Sequence, residues 1–265
     1  MNTKPAYLII LLILLTGFFA CEEKEVTPET EQHIKLVFKH YLNGSPLEYD
    51  TMKYVNAAGN EYLVNEIQWF ISDLTLKKRN GEEILIDEWK DIHYIDTDLP
   101  ETHQWEVYDD LPAGEYESIS FTFGFNKEKN QSFMFPNPPE RDMFWPEFLG
   151  GGYHYMKLNG KWKEPDQSIT PFDFHMGIGQ KYYSYPDSIT AFVHNDFRVE
   201  LPESGFQLDE NQTREIHLIM NVENWFKEPH VYDHNVWKGY IMQNQEAMEL
   251  AKENGQNVFS LEVVK

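Results

Sequence analysis

Ser118-Ile119-Ser120-Phe121-Thr122-Phe123-Gly124-Phe125 alternates small or polar residues with Ile and Phe over eight positions. Successive side chains of a strand point to opposite faces, so this period of two predicts a strand with one face in a core and the other in water. Leu111-Pro112-Ala113-Gly114-Glu115-Tyr116 ahead of it reads as a turn.

The same pattern extends in both directions. Residues 33–41 alternate and end at the turn pair Asn43-Gly44, and residues 61–78 read as a strand with an irregular start. Further strands are expected at 83–87, beyond an Asn80-Gly81 turn, at 91–96, and as an edge at 102–108. Residues 126–145, rich in proline, make a long loop or short helix. Residues 153–158 and 172–176 read as a pair around an Asn159-Gly160 turn, and strands follow at 189–193, 197–201 and 215–222. The pattern turns helical up to Asn254, strongest over 244–252 with Gly255 as its stop, before a closing strand at 258–264. Many short strands separated by turn signals predict an all-β chain, an antiparallel β-sandwich with a few short helices and long loops, as one domain over residues 33–265.

Lysine and arginine number 22 against 44 aspartates and glutamates, a formal net charge of -22. Such a field repels phosphate backbones, excluding a nucleic-acid partner, and favours cationic partners, metal ions included. Cys21 is the single cysteine, so the sequence allows neither an intrachain disulfide nor a metal site built from several thiolates. Lys4 precedes an apolar run over residues 6–20 that reads as a signal peptide, residues 1–20. Cys21 directly after it resembles a bacterial lipobox, in which that cysteine is lipidated. Residues 21–32 then form an acidic tether. The expected location is extracytoplasmic, held by the lipid to the periplasmic or cell-surface face of the outer membrane.

The sequence carries no nucleophile elbow, phosphate loop, dinucleotide fingerprint or defined acid–base pair, so no enzyme activity is expected. Site-like chemistry concentrates in Met143-Phe144-Trp145-Pro146, Gly150-Gly151-Gly152-Tyr153-His154 and Phe172-Asp173-Phe174-His175-Met176-Gly177. His154 stands among aromatics and reads as a packing residue, and Met143, Met156 and Met176 read as core fillers. His230 and His234 are four apart; on a helix they would share a face and could hold a divalent metal, whereas Pro229 and Asp233 suit a loop.

Taken in order, Phe38-Lys39-His40-Tyr41-Leu42-Asn43-Gly44, Tyr54-Val55-Asn56-Ala57-Ala58-Gly59-Asn60, Phe70-Ile71-Ser72-Asp73-Leu74, Leu111 to Tyr116, Phe144-Trp145-Pro146, Gly151-Gly152-Tyr153 and Phe174-His175-Met176-Gly177 resemble the MbnP-like copper-binding domain of bacterial lipoproteins. That resemblance implies a β-rich, non-catalytic domain with a role in copper acquisition or handling. It implies copper as the bound ion, and a partner di-haem peroxidase-like protein that oxidises a tryptophan at the site. Carried onto this sequence, the metal ligands are His40 and His175, with Trp145 as a third and Trp105 as its rival. The alternative is a surface adhesion or carbohydrate-binding module using Trp105, Trp145 and Trp162 as stacking platforms.

Overall fold

The computed structural model describes residues 32–264. The predicted leader, Cys21 and all of the tether but Gln32 lie outside the described residues.

The alternation over the first strand sends Ile34, Leu36, Phe38, His40 and Leu42 inward and leaves the residues between them half-buried. This strand, β1 (His33–Leu42), centres a five-stranded sheet. Beside it lies β15 (Thr213–Asn221), then β16 (Phe259–Val263), while β2 (Ser45–Pro46) and β7 (Gln104–Val107) also pair with β1. β1 and β15 run parallel, a departure from the wholly antiparallel expectation. Nearly the whole domain separates them in sequence, which supplies the long crossover that a parallel pair needs.

The second sheet has nine strands built on β4 (Glu61–Lys78). One edge of β4 pairs with β9 (Met156–Lys163) over its first half and with β8 (Gly114–Phe123) over its second. The partner changes at Phe70, whose N–H donates to Tyr155 O (3.0 Å) and whose carbonyl accepts from Gly124 N–H (2.9 Å). β10 (Ile169–Met176) pairs with β9, and β13 (Phe197–Leu201) with β8. The shorter β3 (Tyr54–Val55), β5 (Glu83–Leu85) and β6 (Ile92–Asp96) pair with β4, and β14 (Phe206–Leu208) with β8. A separate ribbon joins β11 (Ile178–Tyr182) to β12 (Ile189–His194). The helices are α1 (His234–Trp237) and α2 (Gln245–Gly255), the latter capped by the Asn244 side chain.

The two large sheets face each other across a core of aromatic rings. Trp69 of β4 meets Phe38 of β1 edge-on (5.7 Å between centroids, 85°) and Phe259 of β16 at 5.4 Å. Burial of each such ring stabilises the fold by about 1.5–3 kcal/mol. The all-β sandwich anticipated from the alternation is therefore what forms. No helix among the described residues is long and apolar enough to cross a membrane.

Asn159-Gly160 is not a turn. Both residues lie inside β9, and the chain reverses between Glu164 and Ser168 instead, where Gln167 N–H donates to Glu164 O (2.9 Å). Glycine stands at 160 because a Cβ there would collide with the carbonyl of Leu63 and the ring of Phe172. The helical expectation holds for α2, but α1 begins only at His234, so His230 lies in a loop and does not share a helical face with it.

Candidate metal centre

Strand pairing decides which histidines can meet. On β9 and β10, Met156 pairs with Met176 and Lys157 with His175, while on β4 and β9 Trp69 pairs with Met156 and Gln68 with Lys157. Adjacent strand residues point to opposite faces, so Trp69, Met156 and Met176 face the core, whereas Gln68, Lys157 and His175 occupy the outer face of the nine-stranded sheet. His40 points into the core and accepts a hydrogen bond at Nε2 from Trp69 Nε1–H (3.1 Å). The structure thus separates His40 and His175 by a sheet and does not bring them into one mononuclear site.

What it brings to His175 is Trp145 and His154. Phe144 and Tyr153 form an antiparallel bridge, with Trp145 N–H donating to Gly152 O (2.8 Å) and His154 N–H to Met143 O (2.7 Å). This bridge is closed by Gly150-Gly151-Gly152, all at positive φ. At Gly152 the close approach is also steric, since a Cβ would run into the Asn130 amide whose Oδ1 accepts Tyr153 N–H (2.9 Å). Trp145 and His154 end with rings 4.6 Å apart at 69°, and His154 and His175 with rings 5.1 Å apart at 85°. Gly177, two residues beyond His175, lets the indole close in, because a Cβ there would lie 2.6 Å from Trp145 Cε3.

Hydrogen bonds fix the tautomer of each imidazole. A carbonyl only accepts, so the 2.8 Å contact from His154 Nδ1 to Met143 O places the proton on Nδ1 and the lone pair on Nε2. His175 Nε2 lies 2.7 Å from Asn159 Oδ1, and the Asn159 amide is oriented by its Nδ2–H donation to Glu66 Oε2 (3.0 Å). The His175 proton therefore sits on Nε2, and its lone pair on Nδ1 is buried with no protein partner. Burial drives both rings' pKa down to about 3; the neighbouring His175 and then Lys157 add to this for His154, and Lys157 for His175. Both are neutral at physiological pH, the form that binds metal.

Two neutral imidazoles, each giving its other N–H to an oxygen, are oriented as histidine ligands commonly are and could hold a metal ion. The buried orphan on His175 is a costly unpaired acceptor that such an ion would satisfy; buried unpartnered ring nitrogens also occur at His194 and His234, but without a second imidazole beside them among the described residues. Trp145 is fully buried, its indole N–H donating to Leu149 O (3.2 Å).

A second histidine–tryptophan group lies between the sheets, where His40 and His103 rings are 6.3 Å apart. Its nitrogens are more fully engaged. His40 Nε2 takes the Trp69 N–H, and His103 Nε2 lies 2.9 Å from Asp96 O. Trp105, the rival of Trp145, is buried on β7 and stacks on His93 (5.3 Å, 10°), away from His175. His230 is partly exposed beside Glu253, while His234 is wholly buried against Trp162 and Phe172, so these two do not form a metal site. Trp105, Trp145 and Trp162 are 3%, 0% and 1% exposed, which removes all three as stacking platforms.

His154 escaped the sequence because its neighbours are aromatic, and Asn159 because Asn-Gly mimics a turn. The triple glycine before His154 was the available signal.

The profile of the MbnP family matches residues 31–248. Among solved structures, MbnP from Methylosinus trichosporium aligns with a TM-score of 0.53 over 88% of this chain and 99% of that one, at 14% identity. At that identity the likeness speaks to the fold alone. No curated protein matches the sequence. The family match spans most of the chain, and this protein belongs to the MbnP family.

Proposed function

We propose that this protein is a non-catalytic copper-binding protein of the extracytoplasmic space, anchored by lipid at Cys21, that takes part in copper acquisition or handling. His154 and His175 hold the ion, and Trp145 packs against them. The observation that carries this reading is the buried, unpartnered Nδ1 of His175 beside a second neutral imidazole. Imidazole suits copper, and a sandwich scaffold holds two rings from distant segments rigidly enough to select by geometry. Bound copper would be cargo for transfer. The side chain of Lys157, paired across the strands with His175, opposes a doubly charged ion more than a singly charged one. A di-haem peroxidase-like partner would act on Trp145.

The test is metal analysis with intact mass on untagged protein from its native host, after copper reconstitution. Wild type and a His40→Ala, His103→Ala variant should carry copper, and a folded His154→Ala, His175→Ala variant should not. Copper lost only from the His40 and His103 variant would move the site between the sheets; none in wild type would end the reading. An added-oxygen mass confined to Trp145 would report the partner's action.

A further inference from the structure

Three segments distant in sequence meet next to Trp145 around a groove of about 790 Å3: the turn Glu147–Leu149, the β11–β12 ribbon, and the run leading into α2. That volume falls within the roughly 300–1,000 Å3 of small-molecule sites. Phe148, Tyr185 and Tyr240, one ring from each segment, stand at the groove 71%, 66% and 66% exposed. Tyr182 props Tyr185 edge-on at 5.1 Å. Single exposed apolar residues are ordinary, but three large rings converging on one concavity are a recognition feature.

Amides fill the spaces between the rings. Gln180 is held by Leu149 O (2.8 Å), Gln245 donates to Asn195 Oδ1 (3.0 Å), and Gln243 Oε1 accepts from Tyr185 O–H (3.3 Å). Gln180 and Gln245 give both N–H donors to protein acceptors, so the open polar capacity of the groove lies on the Gln243 amide, which engages only its oxygen. Among the described residues, no Asp, Glu, Lys, Arg or His lines the groove, in a chain with 66 acidic and basic side chains (22 and 44). A site for an ion, a nucleotide or an acidic sugar would carry a counter-charge. Bare ring faces beside neutral amides match a ligand with apolar C–H faces and hydroxyl edges.

We infer that this groove binds a short stretch of neutral polysaccharide, with sugar rings stacked on Phe148, Tyr185 and Tyr240 and hydroxyls bonded to the Gln243 amide. It is separate from the His154–His175 centre, and it uses none of the tryptophans that the sequence suggested.

Affinity electrophoresis of the untagged chain tests it, in gels containing laminarin, xyloglucan or galactomannan, or the anionic polygalacturonate. At least one neutral polysaccharide should retard the wild type, a Tyr185→Ala, Tyr240→Ala variant should bind it at least tenfold more weakly, and polygalacturonate should retard neither. No retardation by the neutral panel, equal retardation of the variant, or retardation by polygalacturonate alone would overturn the inference. Should the double variant lose its circular-dichroism signature, Gln243→Ala is read in its place by the same criteria.

Discussion

Asn159 is not itself a proposed ligand, yet its replacement should weaken copper binding. In the native chain its Oδ1 accepts the His175 Nε2 proton at 2.7 Å while its amide is pinned to Glu66 at 3.0 Å. Asn159→Ala removes that acceptor, so the proton becomes free to sit on either ring nitrogen. Tautomer freedom alone costs a factor of about two. Loss of ring orientation and of the basicity lent by the acceptor adds more, and outer-layer changes of this kind lower metal affinity roughly 10–100-fold, equivalent to about 1.4–2.7 kcal/mol. The same variant leaves a buried N–H unpaired and should lower folding stability by about 1–3 kcal/mol. Glu66→Ala, one bond further out, should have a smaller effect on affinity, and His175→Ala should abolish binding. The assay is competition with a chromophoric copper chelator at pH 7, beside urea unfolding of each variant without metal. An Asn159→Ala protein that binds copper within twofold of wild type would refute the tautomer argument, whatever its stability.

Acid should destabilise the fold steeply. His40, His93, His154, His175 and His234 are each lowered from 6.5 to about 3, chiefly by burial. Their folded pKa values lie below the unfolded one, so the unfolded chain binds protons the folded chain refuses. Stability is complete above about pH 6.5 and is lost progressively from there towards 3. At pH 5 each ring costs about 2 kcal/mol, on the order of 10 kcal/mol together, comparable with the whole stability of a domain. Matching urea midpoints at pH 7 and pH 5 would show that the rings are not buried as described. Trp69→Phe removes the donor to His40 Nε2; stability should fall by about 1–3 kcal/mol while copper content stays at the wild-type level, and loss of copper would place the site between the sheets.

Local chemistry was enough to identify the class of this fold. The alternation in residues 118–125 and 33–41 reports which side chains are dry, because a strand's period of two is set by its own backbone. The helix over Gln245–Gly255 was equally legible, from its periodicity and the glycine at its end. Pairing was not. The parallel contact between β1 and β15 joins segments with nearly the whole domain between them, and no local pattern specifies it. Asn159-Gly160 shows how a local rule fails, since the same dipeptide that closes a turn can also be the gap through which Leu63 and Phe172 approach a strand.

For the candidate site, local sequence marked the residue types and the stretches that carry them: histidines, a tryptophan and a glycine-rich bend. Which of them share a centre was decided by tertiary structure alone. Register puts His175 on the outer face of a sheet whose inner face carries Trp69, which meets His40 of the opposite sheet, and the Phe144–Tyr153 bridge swings Trp145 and His154 over it. A one-residue slip in that register would send His175 into the core and dissolve the pair, because pairing fixes the face of every residue along a strand.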